Sequence, residues 1–131
     1  MSKSSFFLPS IENSIEAYNH LRNHISYEQE EIWVICLNNL KKPLSTKKIF
    51  IGSVDQSLIH PREILREVIL SKSSSYILCH SHPSGAPHPS KEDIEITNVF
   101  LKISTILRIP LDDHIIYAKD SYFSFLDSNL L

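Results

Sequence analysis

Apolar residues change their spacing several times along the chain, and each change marks an element. Ile11, Ile15, Tyr18 and Leu21 recur at helical intervals behind Pro9-Ser10, which predicts a first helix capped by Ser10 and running to about Asn23. A polar, acidic approach from Tyr27 to Glu31 leads into Ile32-Trp33-Val34-Ile35-Cys36-Leu37. That run is short, apolar and rich in β-branched and aromatic side chains, so it predicts a buried strand. Asn38-Asn39 and Lys41-Lys42-Pro43 supply turn chemistry. Lys48-Ile49-Phe50-Ile51-Gly52 predicts the next strand, antiparallel to the first because the connection is short.

His60-Pro61-Arg62-Glu63 opens a second helix, with Pro61 suited to its first position and Ile64, Leu65, Val68 and Ile69 on one face. The serine cluster from Ser71 to Ser75, with Lys72 inside it, ends it. Tyr76-Ile77-Leu78-Cys79-His80 is a further short apolar strand, and it runs into His80-Ser81-His82-Pro83-Ser84-Gly85-Ala86-Pro87-His88-Pro89-Ser90. The prolines and the glycine make that segment a shaped loop. A third helix follows from Ser90, with Ile94, Ile96, Thr97, Phe100, Ile103 and Leu107 on its apolar face and Pro110 closing the stretch. Asp113 to Tyr117, a Lys119-Asp120 turn and Tyr122 to Phe125 predict a closing hairpin. The order αββαβαββ describes a single α+β domain over residues 1–131, with a mostly antiparallel sheet between or beside helices.

Composition narrows the function classes. The 131 residues carry 13 Lys+Arg against 15 Asp+Glu, a formal charge of −2, so the molecule is not a polycation built to coat nucleic acid. Two cysteines, Cys36 and Cys79, are too few for a disulfide scaffold and sit in apolar runs. No apolar run reaches the roughly 20 residues of a membrane span, and Met1 to Ser10 is too short in apolar length for a secretory signal. A reducing, cytoplasmic setting is expected. With only two glycines, Gly52 and Gly85, there is no Walker loop or dinucleotide fingerprint.

Histidine is the residue in surplus, with seven in the chain. His80 and His82 lie two apart on an extended segment, so both imidazoles point to the same side and can reach one point in space. Two surface histidines at a strand edge are the plain alternative. Cys79 alternates to the opposite face, and His88 lies between prolines on a stiff turn. Ser90-Lys91-Glu92-Asp93 has the spacing of a capping box, which by itself explains an acid at Asp93. The loop nevertheless folds back on the strand end, and the first helical turn can bring Asp93 beside the two histidines. His80, His82 and Asp93 then form a sound catalytic zinc set: three protein ligands and a fourth position for water. A water activated in this way needs a base to take its proton and pass it to the leaving group. Glu28, Glu30, Glu31, Glu63, Glu67 and Glu95 are candidates. Glu30, at the mouth of the buried strand, is the more suggestive, and Glu31 faces the other way; the residues alone leave that choice open.

The array Glu30, His80-Ser81-His82 and Asp93, with Pro83-Ser84-Gly85 and Pro89-Ser90 within it, resembles the JAMM or MPN+ metalloprotease motif. More closely it resembles the RadC-type JAB domain. The matching stretches run from Glu30 to Val34, through His60-Pro61-Arg62-Glu63 and His80 to Gly85, then Ser90 to Ile94, and end at Leu111 to Ile116. The motif-bearing core covers about residues 27–127. Ser81 stands where this branch usually has asparagine. The resemblance implies a cytidine-deaminase-like fold of α/β/α layers around a mixed sheet. It implies zinc on His80, His82 and Asp93, Glu30 as general base and proton donor, and Ser90 as hydrogen-bond donor to the developing oxyanion. The implied activity is hydrolysis of an amide bond in a peptide or isopeptide substrate. A chain without the helix-hairpin-helix segment of longer RadC proteins is expected.

Two other readings accompany this one. The RadC group carries a DNA-repair label, and Lys41, Lys42, Lys47 and Lys48 form a basic cluster, which together suit a nucleic-acid-associated module whose metal is structural. A solvated hairpin explains the cluster equally simply. The third reading is a non-catalytic MPN interaction domain that dimerises through its sheet edge. His60 and Arg62 are read first as capping and packing residues and only second as lining a substrate groove. For His114 the reading is a structural hydrogen bond, and for Trp33 a place in the core.

Overall fold

The structure, a computed structural model, describes residues 8–52 and 61–131. Eight elements follow in the predicted order: α1 (Ser14–Leu21), β1 (Glu30–Leu37), β2 (Pro43–Gly52), α2 (Pro61–Leu70), β3 (Ser75–Ser81), α3 (Lys91–Leu107), β4 (Leu111–Tyr117) and β5 (Tyr122–Ser124). The five strands form one mixed sheet in the order β2-β1-β3-β4-β5. Every pairing is antiparallel except β3 with β4. That parallel pair is joined through α3, the crossover that parallel neighbours need.

Strand alternation sorts the core into two layers. Ile35, Leu37, Ile77, Cys79, Ile115 and Tyr117 face α1, where Ala17, Tyr18 and Leu21 meet them. Ile32, Val34, Cys36, Tyr76 and Leu78 face the opposite side, against Ile64 and Val68 of α2 and Phe100 of α3. One helix therefore covers one face and two cover the other, which is the expected α/β/α layering. Each wholly buried aliphatic or aromatic side chain contributes about 1.5–3 kcal/mol relative to exposure. The two-sided burial explains why β1 and β3 read as continuous apolar runs.

Several boundaries differ from the sequence expectation. Asn13, not Ser10, caps α1, accepting from Glu16 N at 3.0 Å. The cause lies one residue past Ser10: Ile11 N donates to Lys41 O at 2.7 Å, so the chain is tied to the β1–β2 turn before the helix begins. The buried stripe of α1 is then Ser14, Ala17, Tyr18 and Leu21, and Ile15 is 46% exposed. In α2 only Ile64 and Val68 are fully buried, while Ile69 faces outward. α3 buries Asp93, Thr97, Phe100 and Ser104, leaving Ile94 and Leu107 exposed. Those polar side chains can face inward because each has a partner there, as Ser104 Oγ does at 2.6 Å from Tyr76 Oη. Trp33 is half-buried against the α1 layer, short of the full core position expected of it.

Asp113 on β4 is buried and accepts from Ser124 Oγ (2.6 Å), His114 N (2.7 Å) and Leu126 N (3.0 Å). Burial nevertheless pushes its carboxyl up to about 6. The folded state thus holds this proton more tightly than the unfolded chain, so its contribution is greatest in acid and falls as pH rises to about 6. Asp113→Asn keeps both acceptor and donor capacity without the charge. Relative to that variant, the wild type is expected to lose up to about 3 kcal/mol between pH 4 and 7. Urea unfolding of both chains across that range checks this, and parallel pH profiles would contradict it.

Candidate metal centre

β3 carries His80, the first candidate ligand, to the edge of the core. His80 continues the Tyr76 and Leu78 side of the strand, while Cys79 packs in the α1 layer on the other. Burial also pushes the Cys79 thiol well up, so it stays protonated and away from the site. Beyond the strand, His82 N donates to Tyr117 O at 2.9 Å and His82 O accepts from Gly85 N at 3.1 Å. That turn places Gly85 at φ 83°. Nothing lies within 4 Å of a Cβ added there, so Gly85→Ala should cost only the left-handed backbone conformation, about 1–2 kcal/mol. Chemical denaturation checks this, and an equally stable or more stable variant would contradict it.

The loop also orients His82. Its Nδ1 lies 3.0 Å from Ala86 O. A carbonyl only accepts, so Nδ1 carries the hydrogen and Nε2 of the neutral ring presents a lone pair. That Nε2 is 3.1 Å from Asp93 Oδ2. A lone-pair nitrogen and a carboxylate oxygen at this separation call for a proton or a cation between them.

Asp93 stands on the first turn of α3 and serves two purposes. Ser90 Oγ accepts from Asp93 N at 3.0 Å and Asp93 Oδ2 accepts from Ser90 N at 2.8 Å, a complete capping box. The same carboxylate is wholly buried against both histidines. His80 Nδ1 is 3.2 Å from Asp93 Oδ1, and His80 Nε2 meets Glu30 Oε1. Burial alone would lower the His80 imidazole, but the Asp93 and Glu30 carboxylates reverse that and hold it above its ordinary value. Burial would likewise raise Asp93, yet His80 and His82 hold it well below the usual carboxylate range. Two buried carboxylates around two imidazoles favour positive charge at their centre.

One donor atom from each of His80, His82 and Asp93 lies within 4.8 Å of the others. The 3.2 Å from His80 Nδ1 to Asp93 Oδ1 and the 3.1 Å from His82 Nε2 to Asp93 Oδ2 run to different carboxylate oxygens, and each is near the roughly 3.3 Å between donors on a tetrahedral zinc. Asp93 Oδ1 is buried with no hydrogen bond of good geometry, although His80 Nδ1 is close to it. Donor types, spacing and the oriented His82 ring all fit a divalent metal ion.

The choice between the two acids at the start of β1 follows from alternation. Register pairs Ile32 with His80, and Glu30 falls on that side of the strand. Glu31 points to the other face, where Oε1 accepts from Trp33 Nε1 and Ser26 N, both at 2.9 Å, and Lys48 Nζ lies 3.4 Å from Oε2. Glu63 pairs with Arg62 and Arg66, and Glu67 with Ser45, Lys47 and Ser71. Glu28 and Glu95 are exposed. Ser90 is half-buried beside the cluster. Its oxygen accepts within the capping box, which leaves its own O–H to be donated.

The remaining candidates lie elsewhere. His88 and Arg62 are exposed, and His60 is outside the described residues. Lys41, Lys47 and Lys48 pair with Asp112, Glu67 and Glu31. His114 makes a structural hydrogen bond through Nδ1 to Thr97 Oγ1 at 2.6 Å, and Thr97 Oγ1 donates to Asp93 O at 2.7 Å. Burial pushes His114 down to about 3, so it is neutral, and its ring stacks on Phe125 at 4.5 Å. Spacing places Thr97 on the apolar stripe of α3, and its link to the Asp93 backbone has no signal in spacing alone.

A mixed sheet between one helix and two, with paired histidines leaving a strand end toward an acid on the next helix, is the arrangement of a JAB domain. The family model for the RadC-like JAB domain matches residues 11–130, and the chain belongs to that family. It is 43% identical over 122 residues to a UPF0758 protein of Protochlamydia amoebophila, covering 92% of this chain and 53% of that one. A UPF0758 protein of Thermotoga maritima is 36% identical over 121 residues, with 92% and 54% covered. One from Clostridium acetobutylicum is 38% identical over 128 residues, with 97% and 56% covered. The chain therefore spans about half the length of the curated relatives it matches. Among the described residues no helix is long and apolar enough to cross a membrane.

Proposed function

We propose that this domain is a zinc-dependent hydrolase of amide bonds, a metallopeptidase or isopeptidase. The observation that carries the reading is Glu30, buried against His80 at the edge of a three-donor cluster with Asp93 and His82. His80, His82 and Asp93 would hold the zinc, which would supply Lewis acidity and lower the pKa of water toward neutrality. Glu30 takes the proton of the attacking water on its carboxylate and returns it to the leaving nitrogen. The Ser90 hydroxyl donates to the carbonyl oxygen as negative charge develops there. Removal of such a donor elsewhere has cost about 2.7–4 kcal/mol. The short prolyl loop and the capping box hold these groups in place before substrate arrives, which lowers the reorganisation needed at reaction.

The test is the metal content of the purified chain together with cleavage of a peptide and isopeptide library. Zinc-dependent cleavage that a chelator abolishes and added zinc restores is expected. Zinc bound without cleavage of any library member would overturn the hydrolase reading.

A further inference from the structure

Ser81 stands between the two histidines yet faces the opposite side of the sheet, wholly buried. The β1–β3 register closes at Ile32 and His80. One residue further out, the Ser81 side chain takes over. Its Oγ accepts from Glu31 N at 2.9 Å and donates to Gln29 O at 3.1 Å. These two backbone groups flank Glu30, so a single hydroxyl holds the peptide on both sides of that residue. Behind it, Trp33 and Ser26 fix the Glu31 carboxylate on the α1 side. With Glu31 held there, strand alternation turns Glu30 toward His80.

We infer that Ser81 is the positioning residue for Glu30. It touches neither metal nor substrate and acts by fixing the backbone that carries the acid. The inference rests on the proposed hydrolase for its catalytic consequence, while the clamp can be read without turnover. Ser81→Ala removes both hydrogen bonds and leaves Glu31 N–H and Gln29 C=O without their partner. Asparagine carries an acceptor and a donor in one amide, so Ser81→Asn can replace both. Ser81→Cys, similar in volume but a weak hydrogen bonder, is a second loss variant should the alanine chain not fold.

The experiment uses the whole 131-residue chain and follows amide exchange at Glu31 by NMR, zinc affinity by chelator competition, and kcat and KM on a cleaved peptide. In Ser81→Ala, Glu31 exchange is expected to rise by about tenfold or more. The kcat is expected to fall about 10- to 100-fold with KM unchanged. Zinc affinity falls by no more than the roughly 10- to 100-fold expected when an outer partner of His80 is displaced, because no donor is touched. Ser81→Asn restores both exchange protection and kcat. Unchanged Glu31 protection, or wild-type kcat in Ser81→Ala, would overturn the inference, as would a loss of zinc affinity beyond that range. Should the wild type cleave nothing, the hydrolase reading fails separately. A crystal structure of Ser81→Ala then decides: a Glu30 carboxylate moved off His80 supports the clamp, and one left in place overturns it.

Discussion

Glu30→Gln is expected to lower turnover by about 10²- to 10⁴-fold, the usual contribution of a general base, while one zinc per chain stays bound. Glutamine has the shape of glutamate and can still lie against His80, but it cannot take a proton from water. Among the described residues no other candidate acid replaces it. Glu31 is anchored on the opposite face of β1 by Trp33 and Ser26. Glu63 and Glu67 lie on α2 with arginine, serine and lysine partners of their own. Zinc is retained because Glu30 is not one of the three clustered donors. As an outer partner of His80 its loss weakens the ion by about 10- to 100-fold at most. Turnover at saturating zinc is the measurement, and wild-type activity in Glu30→Gln would mean that the base is misassigned.

Asp93→Ala is expected to lose zinc outright and to destabilise the fold at the same time. The ligand oxygen disappears, so the affinity loss exceeds the roughly 10- to 100-fold seen for an outer partner. The capping box disappears with it, since Asp93 Oδ2 no longer accepts from Ser90 N, at a cost of about 0.5–2 kcal/mol to the start of α3. Asp93→Asn separates the two effects. Its amide oxygen can still accept from Ser90 N, so stability should recover, while a neutral amide is a poor partner for zinc. Urea unfolding and zinc content of both variants provide the check. Zinc bound normally to Asp93→Ala would remove this residue from the site.

The layers and the convergence of His80, His82 and Asp93 were legible because alternation and helical spacing are local signals. Ile32 to Leu37 and Tyr76 to His80 announced buried strands, and the two-residue offset of His80 and His82 announced convergence on one side. What could not be read was tertiary. The start of α1 was displaced from Ser10 to Asn13 by a backbone bond to Lys41, thirty residues away in the chain. The polar face of α3 at Asp93, Thr97 and Ser104 depends on Tyr76 and His114, which lie on separate strands. Capping and metal binding at Asp93 looked like rival explanations. They are compatible, because the cap bond to Oδ2 leaves that oxygen facing His82 Nε2 and leaves Oδ1 without a hydrogen bond of good geometry.

Zinc stoichiometry across three chains bears most directly on the account. Wild type and Glu30→Gln should each hold one zinc per chain after exposure to the metal and removal of excess, and Asp93→Ala should hold essentially none. No zinc in the wild type, or equal zinc in all three, would contradict a metal centre built from His80, His82 and Asp93.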